Sequence, residues 1–341
     1  MLSRAVYQRV RQFSLLLCAL LLNSTSYAEQ PISVNVLNYV NAKSSVHFDR
    51  ILSRGASFNN WLHNRSLVPI SNKPQSARRL NRDTLYSYAL VNISEGASFT
   101  LPDSGGRYLS VQVINQDHYT NRIYYEPGEH KLSMAEFDTP YVLLLARFLV
   151  NPYDSQDWVK VHKLQDKFTV SSESDELYAS LNYDPQSLKD VTATLLSLAD
   201  ALPDARYCYG QKSEVDAVRH LLATAYGWGG LPDADAIYQN VQPNLPIGEY
   251  SLNVKDIPVD GFWSISVYNR DGYFEKNQRE LYSINNLTAI PDPDGSYTIR
   301  FGRDETQSNY LPITDGWNYV VRMYRPHKEV LDGRWEFPMV K

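Results

Sequence analysis

The sequence predicts a mainly β protein, built as two tandem β-sandwich, jelly-roll-like domains with a helical segment between or against them. Three observations carry that prediction. Apolar residues recur with a period of two over 85–91, 108–114 and 141–145, and turn signals such as Pro102-Asp103-Ser104-Gly105-Gly106 and Pro127-Gly128 separate these runs. A strand with its turn occurs twice: Ser110-Val111-Gln112-Val113-Ile114-Asn115-Gln116-Asp117-His118-Tyr119 matches Ser264-Ile265-Ser266-Val267-Tyr268-Asn269-Arg270-Asp271-Gly272-Tyr273. Later in each half an apolar strand carries an arginine, in Leu143-Leu144-Leu145-Ala146-Arg147-Phe148 and Val320-Val321-Arg322-Met323-Tyr324, which fits a duplication. Each half has too few strands for a large barrel.

In chain order, residues 1–28 read as a secretory signal peptide. Arg4, Arg9 and Arg11 are followed by an apolar run of about ten residues and by Ser26-Tyr27-Ala28, with cleavage expected after Ala28. The run is too short to span a bilayer, and a lipid anchor at Cys18 would want small residues where Leu16 and Leu17 stand. The expectation is a periplasmic or secreted protein with no membrane span.

Residues 29–150 form the first sandwich, after a helical lead-in from about His47 with Phe48, Ile51 and Leu52 on one face and Gly55 as its stop. Residues 151–240 form a helical connecting segment. Trp158, Val161, Leu164 and Phe168 mark one helix, and Asp184-Pro185 caps a second through Leu188, Val191 and Leu195. Val215, Val218 and Leu222 mark a third, which Gly227 ends. Within this segment, 171–176 reads as a solvated acidic loop, and Tyr226-Gly227-Trp228-Gly229-Gly230 as a helix stop, since a nucleotide loop would follow a strand. Residues 241–341 form the second sandwich, with turns at Asp294-Gly295 and Asp315-Gly316.

Charge and cysteine content exclude several classes. Loss of the three signal arginines takes the net charge from −5 to −8, and no basic cluster beyond Arg78, Arg79 and Arg82 stands out, so nucleic acid is not an expected partner. Cys208 is then the one remaining cysteine, so the cores must hold the fold without an internal disulfide. Gly-x-Ser-x-Gly elbows and phosphate-cradling glycine loops are missing, which argues against a serine hydrolase and against nicotinamide chemistry.

The candidate catalytic residues are Asp83, Arg147 and Arg322. Asn81-Arg82-Asp83-Thr84 opens a strand, where Asn81 and Asp83 point together and could hold a cation or a water, or pin the strand register through backbone amides. An arginine inside an apolar strand needs a neutralising partner. Arg147 and Arg322 therefore form buried ion pairs with Asp or Glu, or clamp a carboxylate or phosphate ligand. Asn81, Tyr86, Asn115 and Asp117 are the candidate ligand-binding residues. An oxygen-rich calcium or magnesium site from Asp83, Asn115 and Asp117 is one expectation; Asp271 in a hairpin tip is the argument for a plain turn at Asp117. His118, Glu126 and His130 supply metal-compatible types at a spacing that fits no tight site.

Asn81-Arg82-Asp83-Thr84-Leu85-Tyr86-Ser87, Gly106-Arg107-Tyr108, Arg147, Asp157 and Leu164-Gln165-Asp166 together resemble the first member of a paired bacterial family, domain of unknown function 1254. Asp260-Gly261-Phe262-Trp263-Ser264, Asn277, Leu311-Pro312, Arg322, Tyr324, Pro326 and Leu331-Asp332-Gly333-Arg334-Trp335 resemble the second member, domain of unknown function 1214. Asn309-Tyr310-Leu311-Pro312 departs from the family's usual Asn-Trp-Leu-Pro, keeping bulk and changing the hydrogen-bonding head. The resemblance covers roughly residues 35–341 and implies two β-sandwich-like domains with helices between them, but no reaction class.

Two functional classes follow from the residues. One is a hydrolase of a small polar or polyanionic substrate, with a phosphoester favoured, in which Asp83 positions a water or metal ion and the arginines stabilise negative charge. The other is a non-catalytic periplasmic ligand-binding or envelope-associated module with an aromatic, carbohydrate-like groove. Either takes a small-molecule ligand.

Overall fold

The computed structural model describes residues 30–55, 58–70, 75, 78–302, 304 and 306–341, so the signal peptide and Cys18 lie outside the described residues. In chain order the first half contains α1 (Tyr39–Ser53), β1 (Leu62–His63), β2 (Thr84–Asn92), β3 (Ala97–Leu101), β4 (Leu109–Asn115), β5 (Thr120–Tyr124), β6 (Gly128–Leu132), α2 (Met134–Phe137) and β7 (Tyr141–Leu149). The middle contains α3 (Ser155–Gln165), β8 (Thr169–Ser172), α4 (Pro185–Ala199) and α5 (Ala217–Tyr226). The second half contains β9 (Ala236–Val241), β10 (Tyr250–Val254), β11 (Trp263–Tyr268), β12 (Ser283–Asn285), β13 (Tyr297–Gly302), β14 (Tyr310–Pro312), β15 (Asn318–Tyr324) and α6 (Lys328–Leu331).

The predicted fold class is the observed one: a mainly β chain of two sandwiches with a helical layer. The first sandwich packs a sheet of order β1-β2-β7-β4-β5 on one of order β6-β3-β8. Along β2, β4 and β7 the residues Leu85, Val91, Val111, Val113, Leu144 and Phe148 alternate inward, and they meet Phe99, Leu101 and Leu132 of the smaller sheet. Each such fully buried side chain is worth about 2 kcal/mol in apolar burial.

The second sandwich repeats this plan. Its larger sheet has order β9-β15-β11-β12, matching β2-β7-β4-β5 in both spatial and sequence order, and the antiparallel pair β10–β13 matches β3–β6. Ile265, Val267, Tyr319, Val321 and Met323 face inward onto Leu252, Ile299 and Phe301. The halves differ in their extra edge strand: β8 joins β3 antiparallel, whereas β14 joins β13 parallel.

The helices follow their caps. Asp154, Asp184 and Asp216 accept from backbone amides in the first turns of α3, α4 and α5, and Gly227 ends α5. The lead-in helix starts at Tyr39, eight residues before the expected His47, because its first half buries Tyr39, Ala42 and Ser44, a face whose small residues give a weak apolar signal. Phe48 and Ile51 lie on the outer face of the first large sheet with Leu90, Ile114, Leu143 and Leu145, and α4 and α5 pack behind through Leu195 and Leu222.

The middle segment is less purely helical than the sequence implied. The expected solvated loop 171–176 begins as the end of strand β8 and buries Ser174, whose Oγ accepts from Asn92 Nδ2 at 3.1 Å. Strand β9 starts at Ala236, ahead of the expected boundary at 241.

Candidate functional site

The outer faces of the two large sheets carry the same three residues in register. In the first sheet Tyr86, Arg147 and Ser110 lie side by side across β2, β7 and β4. In the second, Tyr238, Arg322 and Ser264 lie side by side across β9, β15 and β11. Their strand neighbours point into the sandwich cores, so both rows point away from them. Aromatic contacts join the two faces, with Tyr108 4.9 Å from Phe262 and 5.4 Å from Tyr324 between ring centroids. The result is one buried polar layer at the junction of the sandwiches.

Both arginines are buried, at 5% and 4% exposure, and among the described residues neither forms an ion pair with a carboxylate. That corrects the expected Asp or Glu partner. Backbone carbonyls and neighbouring polar side chains take the guanidinium hydrogens instead. Arg147 donates through Nη1 to Gln112 Oε1 at 2.7 Å and through Nη2 to Gly229 O at 2.6 Å. Arg322 donates through Nη1 to Ser266 Oγ at 3.0 Å, and through Nη2 to Arg79 O and the Tyr268 hydroxyl, both at 2.8 Å. Gln112 and Ser266 are equivalent in the repeat. Burial works against both charges; Tyr86 and Tyr238 around Arg147, and Tyr268, Tyr324 and Asp83 around Arg322, outweigh it and raise both pKa values.

Each arginine therefore holds the segment leading into the other sandwich's first strand. Gly229 precedes β9, and Arg79 precedes β2. The first lead-in is fixed further by the Tyr268 hydroxyl, which donates to Leu80 O at 2.7 Å, and by Asn81 Nδ2, which donates to the Tyr324 hydroxyl at 2.8 Å. The second is fixed by Leu231 N–H, which donates to the Tyr238 hydroxyl at 3.3 Å.

Asp83 is buried at 1% exposure and faces the second sandwich, where its Oδ1 accepts from Ser283 Oγ at 2.6 Å and from Asn285 Nδ2 at 3.1 Å. Its Oδ2 is buried with no hydrogen-bond partner. Arg79 Nε, Thr84 Oγ1 and Ser264 Oγ are likewise unpaired, and the Tyr108 and Ser110 hydroxyls have only each other and the Tyr125 hydroxyl beside them, without a well-formed bond. Six of the nine such atoms among the described residues thus gather at this one junction, where ordinary structural polar groups would be paired. Beside it, Asp235 accepts from the Tyr125 hydroxyl at 2.7 Å, and burial raises its pKa.

The remaining predicted ligand residues lie elsewhere. Asp83 stands just before β2, opposite the end of β7, while Asn115 at the far end of β4 pairs with Val142 near the start of β7, about 25 Å away by strand rise. This separation overturns a cation site shared by Asp83, Asn115 and Asp117. Asn115 is a turn residue: its Oδ1 accepts from the backbone N–H of Asp117 and Tyr119 at 3.0 and 2.9 Å, as Asn269 Oδ1 accepts from Asp271 and Tyr273. Asp117 Oδ1 accepts from Asn41 Nδ2 at 2.6 Å, on the helical side, beside a cavity of about 220 Å³ lined by Asn41, Ser44, Phe48, Gln116 and Tyr178. His130 packs on Tyr124 and bonds Glu126 O. Among the described residues no group of three His, Cys, Asp or Glu is placed to hold a metal ion, and no helix is long and apolar enough to cross a membrane.

Sequence reasoning found Asp83, Asn81, Tyr86 and both arginines of the junction. Tyr238, Ser110 and Ser264, which share this junction, were not among the residues expected there. Alignment of Leu85-Tyr86-Ser87 with Ile237-Tyr238-Gln239 is the signal that would have shown the first, and the two serines stand at matched positions of the repeat.

No curated protein matches this chain. Among solved structures, the VPA0106 protein from Vibrio parahaemolyticus is similar, with a TM-score of 0.65 and 18% identity over 90% of this chain and 97% of that one, a likeness of fold. An uncharacterized protein from Burkholderia cenocepacia aligns with a TM-score of 0.49 and 14% identity over 86% of this chain and 85% of that one. In sequence, the family model described as protein of unknown function (DUF1214) matches residues 240–328, so the second sandwich carries a DUF1214 domain.

Proposed function

We propose that the protein binds a small organic anion, a carboxylate or phosphate, in the polar layer between its two sandwiches, and that it does so as an exported protein. The observation that carries this reading is the pair of buried guanidiniums without a carboxylate ion pair, set among buried hydroxyls without a well-formed bond. Arg147, Arg322 and the partly buried Arg79 outnumber the two nearby carboxylates, Asp83, whose Oδ1 is already held by Ser283 and Asn285, and Asp235, which is held by the Tyr125 hydroxyl. The balance favours an anion, and guanidinium with hydroxyl donors suits carboxylate or phosphate oxygens. Tyr86 and Tyr238, half-buried at the ends of the two rows, mark where the layer approaches solvent.

Binding is favoured over hydrolysis because the hydroxyl–carboxylate pair at the junction, Ser283 Oγ on Asp83 Oδ1, is a closed structural bond whose acceptor oxygen Asn285 Nδ2 shares. His118 stacks with His220 on the helical side; its Nε2 accepts from Gly229 N–H at 2.8 Å and its Nδ1 bonds Thr224 Oγ1, so both ring nitrogens are already engaged. The resemblance of the first half to domain of unknown function 1254 fits a paired architecture for the whole chain and adds no chemistry. Export rests on Arg4, Arg9, Arg11 and the apolar run before Ala28.

The test is thermal unfolding of the mature protein against a panel of small carboxylates and phosphates, alongside a turnover assay on phosphoesters, carboxylic esters and glycosides with and without magnesium, calcium and zinc. A saturable stabilisation is expected, about 2.7 kcal/mol at a hundredfold excess over Kd. Turnover that Asp83→Asn abolishes would replace this reading with the hydrolase, and no stabilisation by any anion would remove it. The intact mass of exported protein should correspond to a chain starting at Glu29; one starting at Met1 would sink the export claim.

A further inference from the structure

We infer that the anion is two-headed: a dicarboxylate, or a comparable molecule with two acidic groups, with one head at Arg147 and Ser110 and the other at Arg322 and Ser264. This rests on the anion-binding reading above and deepens it. A single arginine with its surroundings would account for one acidic group. The internal repeat supplies two such sets at matched positions, and the match extends to atoms the fold itself leaves unused.

The argument begins with the serines. Ser110 is the register partner of Arg147 on the adjacent strand, and Ser264 is the register partner of Arg322. Cβ atoms directly opposite on one face of an antiparallel pair stand about 5 Å apart, so each serine lies beside the stem of its arginine, whose head reaches on to Gln112 or Ser266 two residues along the strand. Both serines are fully buried; Ser264 Oγ lacks a hydrogen-bond partner, and Ser110 Oγ has only the buried Tyr108 hydroxyl beside it. An unpaired buried hydroxyl costs about 1–3 kcal/mol, so the one at Ser264 is poorly explained by packing alone.

The arginines supply the second half of each set. A guanidinium has five N–H donors, and the bonds described for Arg147 use one from each of its two Nη atoms. Corresponding bonds from Arg322 end on Ser266 and on Arg79 O, and a further one on the Tyr268 hydroxyl, leaving N–H donors over on both arginines. Tyr324, two residues from Arg322 on β15, packs on Tyr108, two residues before Ser110, with centroids 5.4 Å apart, so the two sets belong to one continuous layer. A ligand with one acidic group would satisfy one set and leave its counterpart unfilled.

Titration calorimetry and thermal unfolding with dicarboxylates of increasing chain length, matched monocarboxylates and inorganic phosphate will test this. One dicarboxylate length should bind at least tenfold tighter than its monocarboxylate. Ser264→Ala removes no described hydrogen bond and Ser110→Ala only its contact with the Tyr108 hydroxyl, so both should stay folded, which near-ultraviolet circular dichroism checks. Each should weaken that dicarboxylate by about tenfold, one charge-assisted hydrogen bond. If monocarboxylates or phosphate bind as tightly as every dicarboxylate, or if either serine variant binds the dicarboxylate unchanged, the two-headed ligand is overturned while anion binding stands. If no acid or phosphate binds, both readings fall together.

Discussion

Arg147 and Arg322 occupy the same place in their two sheets, and each binds the strand lead-in of the opposite sandwich: Arg147 at Gly229 O, Arg322 at Arg79 O. A buried arginine is usually explained by a nearby acid. Here carbonyl oxygens do that work, and they hold the two sandwiches together as they do so.

Arg147→Met should cost about 3 kcal/mol of stability, because it strands Gln112 Oε1 and Gly229 O as buried acceptors. Arg147→Lys should restore little of the loss, since one ammonium cannot reproduce the planar fork. Urea unfolding followed by tryptophan fluorescence measures both; a Lys variant as stable as the parent would contradict the bidentate role.

At Asp83 the two carboxylate oxygens have different duties. Asp83→Asn keeps an acceptor for Ser283 and Asn285 and should shift stability by less than about 1 kcal/mol, whereas Asp83→Ala loses both bonds and should cost about 2 kcal/mol. Calorimetric melting of the two variants checks this. Equal losses would mean that charge, not the Oδ1 bonds, is what the fold uses.

Gly261 leaves no room for a side chain: a Cβ there would lie 2.6 Å from Tyr324 O. Gly261→Ala must push β15 away from the junction, so a loss of about 1–3 kcal/mol is expected, together with weakened anion binding. A variant with parental stability would show that the strand can move freely.

Acid should loosen the helical side before the junction. His47 stacks on Trp228 with centroids 4.3 Å apart, and burial, with Arg50 and Lys43 nearby, pushes its pKa down to about 3. His118, buried against Trp228 and His220, is lowered by the same cause. Unfolded histidine titrates near 6.5, so the unfolded chain takes up protons first as the pH falls. Stability from these groups is complete above about pH 6.5 and declines below it, on the order of 1 kcal/mol per pH unit for each, down to the folded pKa. His47→Phe preserves the stack and should flatten this slope in unfolding curves between pH 6.5 and 4.5; an unchanged slope would assign the decline to other groups.

What could be read from the sequence was whatever is local or repeated. The period-two runs gave β2, β4 and β7, Asp184 with Pro185 marked the start of α4, and the ten-residue repeat placed β4 and β11 in equivalent positions. Within the repeat, even the turn chemistry matched: Asn115 and Asn269 make the same two backbone bonds, and His118 adopts a positive φ of 63° where Gly272 has 83°. The arginine partners were hidden because carbonyl oxygens carry no residue identity. The distance between Asp83 and Asn115 was hidden too, since it depends on which end of each strand pairs with which.

The exchange of lead-ins changes what counts as the smallest folding unit. Tandem repeats ordinarily melt as separate modules, each closed on itself. In this chain the approach to β2 is anchored on β15, and the approach to β9 on β7, so a fragment holding one sandwich would keep its arginine and lose the carbonyl that satisfies it. The two copies have become cooperative across their duplication, and expressing them as separate chains should yield partners that gain structure on mixing.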